Sequence, residues 1–330
     1  MTPIALPTGL STRPATEGDQ QAIADLFLAH ERHFYGDSHL SAGVLRGDIN
    51  ATWRTEGIDL KSDSLLVRAP DGQVAGYVLI YRAPDEPQTI MASPVIHPSF
   101  HGLGLGASLN EWAQQRAQQI TLTQPLEKRV VLQSWIKQSD RVAHDLLTRR
   151  GFSPERSFRH MEIDLSDTLP TPIWPAGITV RHFIRGQDDR AAYEASAEAF
   201  SPNEDPYDNL TFEEWCRRAS GRESFDPSLA FLATRHEQIV GMTFGWLITG
   251  DNATIGWITD VAVRPASRGQ GIAQALLCHT FGACQRRGAT RCALHVDTSN
   301  PSGATHLYEH VGMRESIRGE VRYQKVLKEQ

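Results

Sequence analysis

The strongest constraint on this chain is that its two halves repeat one another. Arg13-Pro14, leading into a Gly18-Asp19 turn and a helix-like stretch, has its counterpart in Arg181-His182 leading into Gly186-Gln187-Asp188. Ser64-Leu65-Leu66-Val67 followed by Asp71-Gly72-Gln73-Val74-Ala75-Gly76 reads as a hairpin, and Leu229-Ala230-Phe231-Leu232 followed by Gln238-Ile239-Val240-Gly241 repeats it. Ile96-His97-Pro98 before His101-Gly102-Leu103-Gly104 corresponds to Val263-Arg264-Pro265 before Arg268-Gly269-Gln270-Gly271, and Gly151-Phe152 to Gly312-Met313. Four landmarks in the same order, each displaced by about half the chain, mean two copies of one fold rather than one large domain.

Length agrees, since 330 residues is room for about two domains of ordinary size. The copies are separated by Ser166 to Gly177, where Pro170, Pro172 and Pro175 resist both helix and central strand. This divides the chain into residues 1–165, a linker 166–177 and residues 178–330. Within each copy the order reads strand, helix, helix, hairpin, long strand, glycine turn, helix, strand, helix, strand. That alternation predicts an α/β (mixed α+β) fold, a twisted mixed sheet flanked by helices, built twice.

Charge and cysteine content narrow the function. The formal charge of −6 has the wrong sign for general attraction to nucleic acid or an anionic membrane, and fits a cationic or amine substrate better. No apolar run is long enough for a membrane span, and the first ten residues lack a signal-like pattern, so the chain reads as cytoplasmic. Cys216, Cys278, Cys284 and Cys292 form no Cys-x-x-Cys and read as reduced structural thiols. His236-Glu237 lacks the second histidine of a zinc helix, so no metal is expected.

The chemistry gathers at the second glycine turn. Ala253 to Val263 reads as a strand and Ile272 to Arg287 as a helix, with Gly288 after it and Arg286 and Arg287 at its negative end. Small residues at Gly269, Gly271 and Ala273 let backbone N–H groups converge at the positive end of that helix, a site for a di-anion such as pyrophosphate, to which Arg268 adds charge. Gly102-x-Gly104-x-x-Ala107 in the first copy imitates a dinucleotide fingerprint. It follows His97-Pro98 rather than a strand, and no acidic ribose ligand on a second βαβ unit accompanies it.

The segment Asp260-Val261-Ala262-Val263-Arg264-Pro265-Ala266-Ser267-Arg268-Gly269-Gln270-Gly271-Ile272-Ala273 resembles the acyl-CoA motif of the GNAT N-acyltransferase superfamily, Gln/Arg-x-x-Gly-x-Gly/Ala. Leu294 to Asn300 resembles that family's fifth strand and the loop after it. Leu307-Tyr308-Glu309-His310-Val311-Gly312-Met313 resembles its LYExxGF signature, with Met313 for the commoner Phe. As a tandem pair the chain is similar to the mycothiol synthase group, which carries a fourth-strand glutamate where this chain has Trp257.

The resemblance implies acetyl-CoA as co-substrate and a small-molecule primary amine as acceptor, such as an aminosugar, antibiotic or metabolite, in a monomer or homodimer. It implies that Val261, Ala262, Val263, Arg268, Gly269, Gln270, Gly271, Ile272, Ala273 and Asn300 hold the coenzyme. Tyr308 is the implied general acid, since a phenol stays protonated at neutral pH. Asp260, His295 and Asp297 are candidates for the base. The first copy has Leu147 where the second has Tyr308, and His101 where the motif prefers Gln or Arg, so catalysis is expected in the second copy. Trp246, Trp257 and Phe244 are candidates for an acceptor pocket, as is the segment Phe200 to Trp215 with Glu204, Asp205 and Asp208. A non-catalytic acyl-CoA sensor or scaffold, and acetylation of a protein N-terminus or lysine, are the alternatives.

Overall fold

A computed structural model describes residues 5–83, 86–123, 129–165, 168–200, 210–219, 221, 225–250, 253–299 and 303–329. The chain packs into two compact units, one of residues 1–158 and 317–330, the other of residues 159–316.

The first unit runs β1 (Ser11–Arg13), α1 (Gln20–Tyr35), α2 (Ala42–Trp53), α3 (Leu60–Asp63), β2 (Ser64–Arg68), β3 (Val74–Ala83), β4 (Glu86–Ala92), β5 (Val95–Ile96), α4 (Leu105–Thr123), β6 (Val130–Lys137) and α5 (Arg141–Arg149). β7 (Ser153–Asp164) begins here and ends in the second unit. The second continues with β8 (Thr179–His182), α6 (Asp189–Phe200), α7 (Phe212–Ala219), β9 (Ala230–Arg235), β10 (Gln238–Thr249), β11 (Thr254–Val263), α8 (Ile272–Arg286), β12 (Arg291–Asp297) and α9 (Ala304–His310). β13 (Arg314–Lys328) starts in the second unit and returns to the first. Residues 168–177 carry neither helix nor strand, as three prolines require.

Both sheets are mixed. In the first unit the order is β1-β2-β3-β4-β6-β13, with β4 and β6 parallel and β13 antiparallel to β6, Glu320 opposite Lys137 through Lys328 opposite Val130. In the second the order is β7-β12-β11-β10-β9-β8, with β11 and β12 parallel and the rest of the β8 to β11 meander antiparallel. Strand periodicity divides each core into two layers. Ala230 and Leu232 of β9 pack with Phe183, Met242 and Phe244 on the side of α6 and α7, while Phe231 and Ala233 join Leu276, Phe281 and Leu294 on the side of α8.

The repeated arginine has a structural use. Arg13 forks onto Asp19 at 2.6 and 2.7 Å, and Arg181 onto Asp188 at 2.6 and 2.8 Å, each tying the first strand of its repeat to the start of the following helix. These forks hold both carboxyls below the usual range, Asp19 at about 2.

Candidate active site

Two strands and two helices build the site in the second unit. β11 pairs with β12 only at Ile255–Arg291, Gly256–Cys292 and Trp257–Ala293. On its other edge β11 stays paired with β10 as far as Val263 opposite Gly241. From Ile258 to Val263, therefore, β11 has moved beyond its register with β12, leaving a cleft edged by extended backbone.

A bulge directs the side chains beside that cleft. Trp246 lies opposite Trp257, and Phe244 opposite Asp260, so β11 carries one residue more than β10 between these pairs. Cross-strand partners share a face, and Phe244 and Trp246 share a face of β10. Trp257 and Asp260 consequently share a face too, which a regular strand would forbid at a spacing of three. The Thr259 hydroxyl donates to the Phe244 carbonyl at 3.2 Å, and Gly245 is obligatory, because a Cβ there would sit 2.7 Å from the Trp257 carbonyl oxygen.

At one end of the cleft lies the glycine turn. Pro265–Ser267 form one short 3-10 turn, after which Gly269 (φ +71°) and Gly271 (φ +83°) take left-handed conformations and α8 begins at Ile272. A Cβ at either glycine would meet nothing within 4 Å, so the turn presents bare backbone and open space to an anion. The residues present thus fit a diphosphate group. Arg268 turns onto the backbone itself, bonding the carbonyls of Val263 at 3.3 Å and Ala199 at 2.7 Å, and Gln270 accepts from Arg235 at 2.6 Å. The Ile272 side chain is buried in the core, leaving its backbone to face the turn, while Ala273 stands in the first helical turn. Val261 and Val263 pack partly against the α8 core, and Ala262 is buried on the opposite face.

Tyr308 on α9 is 8% exposed, and burial together with the negative charge of Asp260 pushes its phenol up to about 12. Asp260 is thus near enough for its charge to act on the Tyr308 phenol. His295 belongs to a different group. Its ring stands perpendicular to Trp257 at 5.0 Å and to His160 at 5.4 Å, and His160 stacks on Trp257 at 5.6 Å. Asp297, next on the same face of β12, accepts from the backbone N–H and hydroxyl of Ser299 at 2.7 and 2.6 Å, a turn-forming role.

His160, with Glu162 and Ser316 around it, is absent from the sequence reading. The repeat places residues 153–165 with the first copy, whereas the polar and apolar alternation of His160-Met161-Glu162-Ile163 is the signal that would have marked a strand with His160 and Glu162 on one face. Phe244 belongs to the core, packed with Phe183, Trp215 and Phe225. Asn300, and Glu204, Asp205 and Asp208 with the rest of 201–209, lie outside the described residues. Leu147, the counterpart of Tyr308, is buried in the first unit's core. Among the described residues no cluster of three or more His, Cys, Asp or Glu is placed to hold a metal ion, and no helix is long and apolar enough to cross a membrane.

A mixed sheet with diverging parallel strands, a glycine turn opening a helix between them and a buried tyrosine beside the cleft define an acyl-CoA-dependent transferase fold. The profile of the acetyltransferase (GNAT) family matches residues 27–152 and again 190–313, and the chain belongs to that family. It is 33% identical over 222 residues to the mycothiol acetyltransferase of Streptomyces scabiei, covering 67% of each chain. A crystal structure of a GCN5-related N-acetyltransferase from Sphaerobacter thermophilus superposes with a TM-score of 0.80 at 34% identity, covering 98% of both chains. A tandem GNAT protein of the clavulanic acid biosynthesis pathway shares the fold at a TM-score of 0.69 and 15% identity, over 97% of this chain and 99% of that one. The chain is a tandem GNAT acyltransferase.

Proposed function

We propose that the second unit transfers an acetyl group from acetyl-CoA to a primary amine of a small molecule, by direct attack on the thioester. The observation that carries this reading is the divergence of β11 from β12 beyond Trp257 and Ala293, with the glycine turn at one end and Tyr308 beside Asp260. The extended backbone of Val261 to Val263 offers donors and acceptors to the pantetheine arm, and the N–H groups of residues 269–273 face the diphosphate. Donors fixed before the reaction stabilise the oxyanion as it develops. Tyr308 gives its proton to the departing sulfur. The acceptor's ammonium proton passes to a group on the face that Asp260 and His295 flank.

The relatives named mycothiol acetyltransferases support a small-molecule acceptor. Trp257, which stands where the resemblance to the mycothiol synthase group puts a glutamate, argues for a different placement of the base and an acceptor of its own. For the first unit a second reading is favoured, coenzyme binding without turnover. Gly102 and Gly104 keep the left-handed turn, at φ +77° and +81°, but Leu147 has no proton to give.

Native mass spectrometry of the whole chain with acetyl-CoA, followed by release of free thiol against a panel of amines, tests the reading. The expected result is coenzyme bound through the Gly269–Gly271 turn and turnover lowered by about 10²- to 10⁴-fold in Tyr308→Phe. A chain that binds no acetyl-CoA overturns it.

A further inference from the structure

His160 lies in the last strand of the first repeat, yet it packs in the second unit, beside His295. Its imidazole is 2% exposed. One face stacks on Trp257 with the planes 29° apart, so only its edges are available for bonding. Nδ1 lies 2.7 Å from the Ser316 hydroxyl and 3.8 Å from Oε2 of Glu162, a buried carboxylate oxygen with no hydrogen-bond partner among the described residues. A buried carboxylate oxygen in that state is an unspent charge aimed at the ring. His295, by contrast, is half-buried and is held edge-on by both Trp257 and His160.

The groups follow in the order of an oriented base: a half-buried imidazole packed against a buried one, which has a carboxylate oxygen 3.8 Å from its Nδ1. Resting on the acetyltransferase reading above, we propose that His295 is the general base of the second unit and that His160 is its positioning residue, with Glu162 and Ser316 fixing His160. Asp260 then serves the acid, through its charge on Tyr308. The charged and titratable groups described around the pair are Glu162 on the strand of His160, Asp297 on the strand of His295 and Asp260 on the shared face of β11, with the Ser316 hydroxyl at the start of β13.

In the step itself a ring nitrogen of His295 takes a proton from the acceptor's ammonium, freeing the nitrogen lone pair. The N–C bond forms, the C–S bond breaks, and Tyr308 protonates the sulfur. The second proton shed by the nitrogen returns to the Tyr308 oxygen through water, and His295 releases its own to solvent. Overall one amide, one thiol and one proton are produced.

The test follows His295 with and without turnover. NMR titration of ring-labelled histidine in the whole protein reads the His295 pKa directly, and the pH profile of kcat/KM for the amine reads it kinetically. Glu162→Gln is expected to lower the His295 pKa by about one unit. His160→Phe, which keeps the stack on Trp257, is expected to lower kcat/KM for the amine by about 10²-fold while acetyl-CoA binding is unchanged. Wild-type values of both the His295 titration and the pH profile in both variants would overturn the proposal. Should the wild-type chain acetylate no amine, the acetyltransferase reading falls, while the titration still decides whether His160 and Glu162 set His295.

Discussion

Tyr308 illustrates how one side chain's surroundings select its chemistry. Burial and the Asp260 carboxylate both disfavour the phenolate, and with the phenol pushed up to about 12 the proton stays in place throughout the pH range in which proteins work. Tyr308→Phe is expected to lower kcat by about 10²- to 10⁴-fold with acetyl-CoA affinity retained, measured by steady-state kinetics beside calorimetric binding. In the wild type the alkaline side of the rate profile should show no loss from Tyr308 until pH approaches 12. Asp19 makes the opposite case. Its carboxyl is depressed to about 2 by Arg13, so its contribution to stability is complete above the ordinary value near 3.9 and disappears as pH falls through about 2. Circular dichroism should show Asp19→Asn already destabilised at pH 5 and losing less between pH 4 and 2 than the wild type. Tyr308 was legible because a signature surrounds it. His160 was not, because Trp257, His295 and Ser316, which join Glu162 around it, are about a hundred or more residues away along the chain, and no local pattern encodes contacts of that range.

The bulge in β11 is a device of the strand as a whole, since one extra residue puts Trp257 and Asp260 on the same side. Gly245→Ala forces a Cβ into the Trp257 carbonyl oxygen, and the strands must separate or the bulge must move. An overpacking cost of about 1–3 kcal/mol is expected, visible as a lower Tm, with a loss of turnover larger than the loss of stability explains. Gly271→Ala acts differently. Space around it is open, so the cost is that of the left-handed backbone, about 1–2 kcal/mol, together with weakened acetyl-CoA binding. The strand, the turn and the helix were all legible from composition and punctuation, and the observed Thr254–Val263 and Ile272–Arg286 lie within a residue of expectation. The bulge was not, because Ile258-Thr259-Asp260 reads as uninterrupted strand, and its one signal is a glycine inside the partner strand.

At the scale of the molecule, the repeat in the sequence and the units in space are offset. Residues 159–165 pack in the second unit and 317–330 in the first, so a cut in the linker deprives each unit of a strand. Fragments 1–165 and 178–330, expressed separately, are expected to melt without cooperativity, whereas the whole chain melts sharply by calorimetry. The first unit has a particular debt to β13. Arg318 pairs with Glu31 and Asp37, and stands with Lys137 over the Tyr35 ring at 4.5 and 4.3 Å, so removing the strand takes a guanidinium from both carboxylates and from the ring, and leaves Lys137 as the partner of Glu31. Repeat detection reveals duplication but not exchange, because strand pairing between distant segments leaves no periodic trace. During synthesis this order of assembly has a consequence. Domains usually fold from the N-terminus as they leave the ribosome, but here the first half waits with an unfilled place in its sheet until residue 328 emerges, and the exposed edge of β6 is the part of the nascent chain most in need of a chaperone.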